Sequence, residues 1–200
     1  MVYSGVFERF FLLGIKKVIF SSAQWSKFDL LKRNYPCIDK TLFPALPSDE
    51  EGEEHLFFYD EELKEEIYLK YIKGNEHIKP YTEVYHRLLG TILGFPPKAV
   101  DFFSSGEHEK QPHKKVFLQF GGVQCVASID NLVEDVEWLW EKYPYPESDI
   151  LIAKYKYDYV DFTYGDIKAV KEAQQHGLAY IEKQLEKEAK KIGKGFSLND

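Results

Sequence analysis

The chain has little with which to cross-link itself: two cysteines in 200 residues, at positions 37 and 125. So few, set so far apart, are no disulfide framework, and they fit reduced thiols in a reducing compartment. Long apolar runs are missing as well. The stretch from Val6 to Phe20 is interrupted by Glu8, Arg9, Lys16 and Lys17, well short of the apolar length a bilayer needs. No basic segment precedes it and no small-residue cleavage site follows it, so a secretory signal is not expected. Positive charge is in deficit, with 26 Lys and Arg against 33 Asp and Glu and a net charge of −7. That balance disfavours nonspecific binding to nucleic acid or to an anionic membrane surface. Recognisable catalytic patterns are absent too: no Gly-x-Ser-x-Gly elbow, phosphate-binding glycine loop or dinucleotide fingerprint. Neither His-Glu-x-x-His nor a paired Cys-x-x-Cys occurs, so no metal and no cofactor are expected.

Aromatic residues are what the chain has in quantity: 15 Phe, 14 Tyr and 3 Trp, within a 44% hydrophobic composition. A chain of this length and content can bury a core as one domain, taken here as residues 1–200. Its clearest unit starts at Lys114. Gly121-Gly122 supplies the positive φ angles of a two-residue hairpin turn. Phe120 then faces Val123, Leu118 faces Cys125 and Val116 faces Ala127, which makes one face wholly apolar. The other face pairs Phe117 with Val126 and Gln119 with Gln124. From Asn131 the period lengthens to about 3.6. Leu132, Val133, Val136, Leu139, Trp140 and Tyr143 form one stripe, Asn131 with Glu134 forms a capping-box variant, and Pro144 stops the helix. This is a strand–strand–helix unit.

Elsewhere, β-branched content suggests a strand near residues 15–20, and the spacing of Trp25, Phe28, Leu31 and Tyr35 suggests a helix ended by Pro36. The acidic run Ser48–Glu54 reads as a solvated loop. Leu56–Tyr59 reads as a buried strand, with Asp60 capping a helix closed by Gly74. A second helix from Thr82 buries Val84, Tyr85, Leu88, Leu89, Ile92 and Leu93, and Gly94 takes the left-handed position after it. Ala99–Phe103 suggests a helical turn, and Ser104–His113 an exposed loop. Residues 150–164 read as strand with a tight turn or bulge near Asp158. From Asp166 to Ile192 runs a long helix, covering the sheet with its first half. Its second half has only Leu185 and Ile192 as anchors, so residues 186–200 are expected to be a frayed end of a monomer. The fold expected is α+β: a single-domain α/β sandwich whose mixed sheet contains the hairpin, residues 150–164 and the strands near 15–20 and 56–59, with helices 131–143 and 166–192 on one face.

One segment, His86-x-x-x-Gly90-x-x-Leu93-Gly94-Phe95-Pro96-Pro97-x-x-Val100-x-x-Phe103, resembles part of a family of uncharacterised bacterial cytosolic proteins. In that family a histidine-led helix runs into a Leu-Gly-Tyr-Pro turn and a short second helix. Gly14-Ile15-Lys16 and Phe58-Tyr59-Asp60-Glu61-Glu62-Leu63 are similar in order and spacing. Together these pieces cover about half of the chain. The sequence departs in having Arg87 where the family tends to be acidic, and in lacking its early cysteines. The resemblance implies a cytoplasmic protein of bacterial type and assigns no catalytic residue.

Three residues are singled out as ligand-binding: His86, Tyr155 and Tyr157. His86 sits one turn before Gly90, where side-chain bulk is removed, and could serve as a base or ligand beside a cleft. The weightier reading is a half-buried histidine bonded to the backbone. Tyr155 and Tyr157, with Tyr159, could form a stacking platform, although same-face tyrosines more often lie under a helix. Lys154 and Lys156 look like an edge-strand device against aggregation. Cys125 as a nucleophile would need exposure and a base, and its inward direction opposes that. His108 and His113 lack metal-ligand spacing with His86 or His77. The function expected is that of a binding or regulatory protein, acting on a protein partner or a small molecule. The alternative is a small enzyme with its site around His86.

Overall fold

The two glycines at 121 and 122 have φ of +54° and +94°, and the strands they join, β5 (Lys115–Phe120) and β6 (Val123–Ser128), pair in the register the alternation requires. The computed structural model describes residues 9–49, 52–147, 151–155 and 158–195. β5 also pairs with β7 (Leu151–Tyr155), and β7 with β8 (Asp158–Phe162), giving an antiparallel sheet of order β6-β5-β7-β8. Tyr155 stands opposite Asp158, so the chain reverses between β7 and β8, close to where the sequence placed a turn.

The earlier half builds its own sheet. β1 (Val18–Ser22), β2 (Cys37–Ile38) and β3 (Ser48–Asp49) each pair antiparallel with β4 (Gly52–Phe58). The α+β class holds, but the single mixed sheet does not: among the described residues there are two sheets, and every pairing in them is antiparallel. Periodicity identifies strands without saying which strands meet, and here each hairpin finds its partners nearby in sequence. The acidic run is also no simple loop. Ser48 faces Glu53 and Asp49 faces Gly52 across a short ladder.

Both faces of the first sheet are covered. Val18, Leu56 and Phe58 pack with Ile72, Tyr85 and Ile92, brought by α3 (Glu61–Ile67), the wider π turn Tyr68–Ile72 and α4 (Glu83–Ile92). On the opposite face, Ile19 and Phe57 meet Phe28 and Leu31 of α2 (Phe28–Asn34). The second sheet lays Val116, Leu118, Phe120, Leu151 and Phe162 against α7 (Leu132–Lys142) and α8 (Ile167–Gly195), the pair of covering helices expected. A 3₁₀ turn, Ile129–Asn131, precedes α7, and Ser128 rather than Asn131 provides the side-chain cap, accepting from the Asp130 N–H. In the helical turn α1 (Arg9–Leu12), two successive rings part ways. Phe10 enters the core of the second sheet and Phe11 that of the first.

Val84 departs from its expected burial and is 58% exposed on the outer side of α4. Along α8, Val170 and Ile181 are buried, whereas Leu178 and Leu185 are exposed. A mostly polar helical end adds little stability. Removing residues 186–200 should therefore leave the melting temperature within about 2 °C. Light scattering should give the same number of chains per particle; a drop in that number on truncation would show instead that the segment is a seam between chains. Among the described residues no helix is long and apolar enough to cross a membrane.

Candidate functional site

Thr82 starts the element that matters most. Its hydroxyl accepts from the Tyr85 N–H at 3.3 Å and fixes the phase of α4. In that phase His86, Leu89, Gly90 and Leu93 recur at helical spacing on one face. Gly94 (φ +68°) turns the chain, and the Phe95 N–H returns to the Gly90 carbonyl at 2.9 Å. Pro96-Pro97 then starts α5 (Pro97–Ser104). The two helices touch closely because a Cβ at Gly90 would come within 2.8 Å of a Val100 methyl. Tyr143 of α7 holds the turn from the other side, donating its hydroxyl to the Gly94 carbonyl at 2.8 Å. Arg87 pairs with Glu83 at 3.2 Å and with Asp101, tying α4 to α5.

Between this helix pair and the second sheet lies a cleft of about 490 Å³. His86, Leu89 and Phe103 form its helical wall; Phe117, Gln119, Gln124 and Val126 come from β5 and β6, and Lys154 and Tyr159 from β7 and β8. The outer face of the hairpin, half apolar in the sequence, is thus the floor of a cavity. Phe117 is 50% exposed and Tyr159 63% exposed. The Lys154 ammonium stands 4.7 Å from the centre of the Tyr159 ring. Among the described residues no carboxylate lies within ion-pair distance of it.

His86 is half-buried, and its ring meets Phe103 edge-on at 5.1 Å. On the far side of Phe103, His108 stacks at 4.4 Å with an interplanar angle of 19°. The polar segment after Ser104 is therefore not an exposed loop. It folds as α6 (Glu107–Lys110) and a 3₁₀ turn, and tucks His108 against Phe103. Burial, and then the charge His108 can carry, push the His86 pKa below its usual value, so the ring stays neutral at neutral pH. No carboxylate or hydroxyl among the described residues hydrogen-bonds to it. The backbone-bonded histidine anticipated from the sequence is not what is found; the ring is held by aromatic contacts.

Of the other two selected residues, one has a described position in the sheet. Tyr155 sits opposite Val116 and Asp158 in register, one step out of phase with Lys154 and Tyr159. A reversal between Tyr155 and Asp158 puts Tyr159 on the Lys154 face, so Tyr155 and Tyr159 do not form one ladder. Tyr157 and Lys156 lie outside the described residues. Lys154 is in an inner strand, not at an edge. The edge β6 is instead covered by α5, which shields its open hydrogen-bonding side.

Three ionisable groups lie at the back of the cleft, Lys16 and Asp135 buried and Cys125 half-buried in its lining. Lys16 is 4% exposed, with its ammonium 5.6 Å from the centre of the Phe95 ring. Burial lowers its pKa to about 8, against an opposing pull from Cys125. Burial raises the Cys125 thiol, and Asp135 raises it further, with Lys16 opposing. A thiol so placed stays protonated and is a poor nucleophile. Asp135 is buried, and among the described residues neither carboxyl oxygen has a hydrogen-bond partner. Burial pushes its pKa up to about 7, although the nearby Ala99 N–H favours the charged form. Both cysteines are free. Among the described residues no group of three His, Cys, Asp or Glu side chains could hold a metal ion. No protein-family model matches the chain, nor does any curated protein or solved structure.

Proposed function

We propose that this protein is a binding or regulatory protein that captures a small molecule in the cleft between α4–α5 and the second sheet. The observation that carries the reading is the cleft itself: about 490 Å³, walled by rings and aliphatic groups, with a few polar groups among them. That is the composition and size of a small-molecule site. It is also framed by helices and strands, so its shape exists before a ligand arrives. Chemistry is not part of the proposal. A general base needs a group that orients it and a nucleophile within reach, and among the described residues the His86 ring has aromatic neighbours and no hydrogen-bonding side chain. We place the protein in a reducing compartment as a monomer, a reading in keeping with its free cysteines.

A ligand-observed fluorine NMR screen of small fragments tests the reading, with Val126→Trp as a blocked control. Fragments should bind the native protein and lose binding to the blocked one; hits indifferent to the block, or no hits, would overturn it. His86→Ala should weaken the best hit by about fivefold, roughly 1 kcal/mol, through loss of one ring wall. Its melting temperature should stay within about 2 °C of the native value. A large fall in melting temperature with binding intact would make the residue structural. Turnover of any hit, abolished by the same substitution, would favour the alternative of an enzyme.

A further inference from the structure

The cleft has a charge composition unlike the rest of the chain. The protein carries 33 acidic residues and a net charge of −7, yet among the described residues no Asp or Glu lines this cavity, and Lys154 is the one Lys or Arg that does. Charged side chains that shape a surface usually come in neutralising sets. Lys154 has none: its ammonium faces the Tyr159 ring, and among the described residues it has no ion pair. Half-buried, it has lost part of its water without gaining a counter-charge, which costs free energy that an incoming anion would return. Its neighbours define the rest of the ligand. On the same face by register stand Phe117 and Tyr159, directly across from Lys154 on the two flanking strands. Both rings are well exposed, and with Lys154 over one side of Tyr159 they still offer surface to a flat partner. Asp161 occupies the neighbouring position of that sheet face, opposite Ile152, and does not line the cleft.

Resting on the cleft reading above, we infer that the ligand is an aromatic monoanion, with a carboxylate or sulfonate at Lys154 and a flat ring body between Phe117, Tyr159 and the His86–Phe103 wall. The Gln119 and Gln124 amides, at the other end of the floor, offer donors and acceptors to a polar substituent. A cationic ligand would meet Lys154 without a compensating carboxylate. A purely apolar one would leave the ammonium as unpaired as before.

Two dyes with one ring skeleton separate charge from shape: 8-anilinonaphthalene-1-sulfonate, an anion, and N-phenyl-1-naphthylamine, its neutral counterpart. Fluorescence titrations would be run on the native protein, Lys154→Met, Lys154→Arg and Val126→Trp, with melting temperatures confirming that each is folded. Lys154→Met keeps the aliphatic stem and removes the charge. It should weaken the sulfonate by about tenfold and leave the neutral dye within about twofold, while Lys154→Arg restores the sulfonate. Val126→Trp should abolish both. Equal effects of Lys154→Met on the two dyes would overturn the anion, and sulfonate binding indifferent to Val126→Trp would place it elsewhere and overturn the inference. Should neither dye bind while neutral or cationic fragments do, the ligand class is wrong and the cleft still binds. Should neither dyes nor fragments bind, the cleft reading falls with it.

Discussion

Gly121→Ala should lower the melting temperature by roughly 10 °C, the consequence of losing about 3–4 kcal/mol in a domain of this length. Two costs combine. At φ +54° an L side chain is strained by about 1–2 kcal/mol. The new Cβ would also lie 1.9 Å from the Phe10 ring, which has no room to retreat, being fully buried and edge-on to Phe120 at 5.1 Å. Chemical denaturation of Gly121→Ala, Phe10→Leu and the double variant checks the second cost. The smaller partner should recover part of the loss, so the double variant would be more stable than the sum of the singles predicts. Strict additivity would mean that backbone strain alone is responsible.

Asp135→Asn is expected to change how stability responds to pH. The carboxyl has an ordinary value of 3.8 and a folded value of about 7. The folded chain therefore holds this proton more tightly than the unfolded chain. The destabilisation is absent below about pH 4, grows as pH rises through that window and is complete above the folded value. A shift of about three units sets its ceiling at roughly 4 kcal/mol. At pH 4.5 the variant should be more stable than the native protein by only about 1 kcal/mol, and at pH 8 by an amount approaching that ceiling. His86, lowered by burial, contributes with the opposite sign below its usual value, and Lys16 likewise between about 8 and 10.5. Subtracting the native curve from that of the variant removes both. Urea unfolding at pH 4.5, 6 and 8 gives the answer, and an equal difference at all three would show that Asp135 does not titrate.

Local sequence patterns correspond to structure where the physics is local. The paired glycines, the alternation of Val116, Leu118 and Phe120, the Thr82 start and the Gly94 stop each correspond to one element in place. The candidate site was legible only in pieces. His86 and the space at Gly90 were visible, and so was an apolar pair, Phe117 with Val126, on a face that solvent alone would not explain. What covers that face comes from α4 and α5, and no periodicity reports a contact between distant elements. Lys154 was misjudged for the same reason, since strand order decides whether a lysine is at an edge or inside. Alternation does not carry from Tyr155 to Tyr159, because the chain reverses between β7 and β8. His108 looked like loop in a charged segment, and only its stacking on Phe103 places it inside.

Phe10 and Phe11 have a bearing on the order in which the molecule assembles. Each sheet is closed by chain from its own half, β1 with β4 in one and β5 through β8 in the other. A single helical turn such as α1 has no stability of its own in water. Its two rings gain a place only when both cores already exist, one ring for each. The turn is therefore a clasp that shuts after the halves have formed, adding to the packing of α5 on β6 and the Tyr143–Gly94 hydrogen bond that also join them. The earliest residues described are then the last to find their positions.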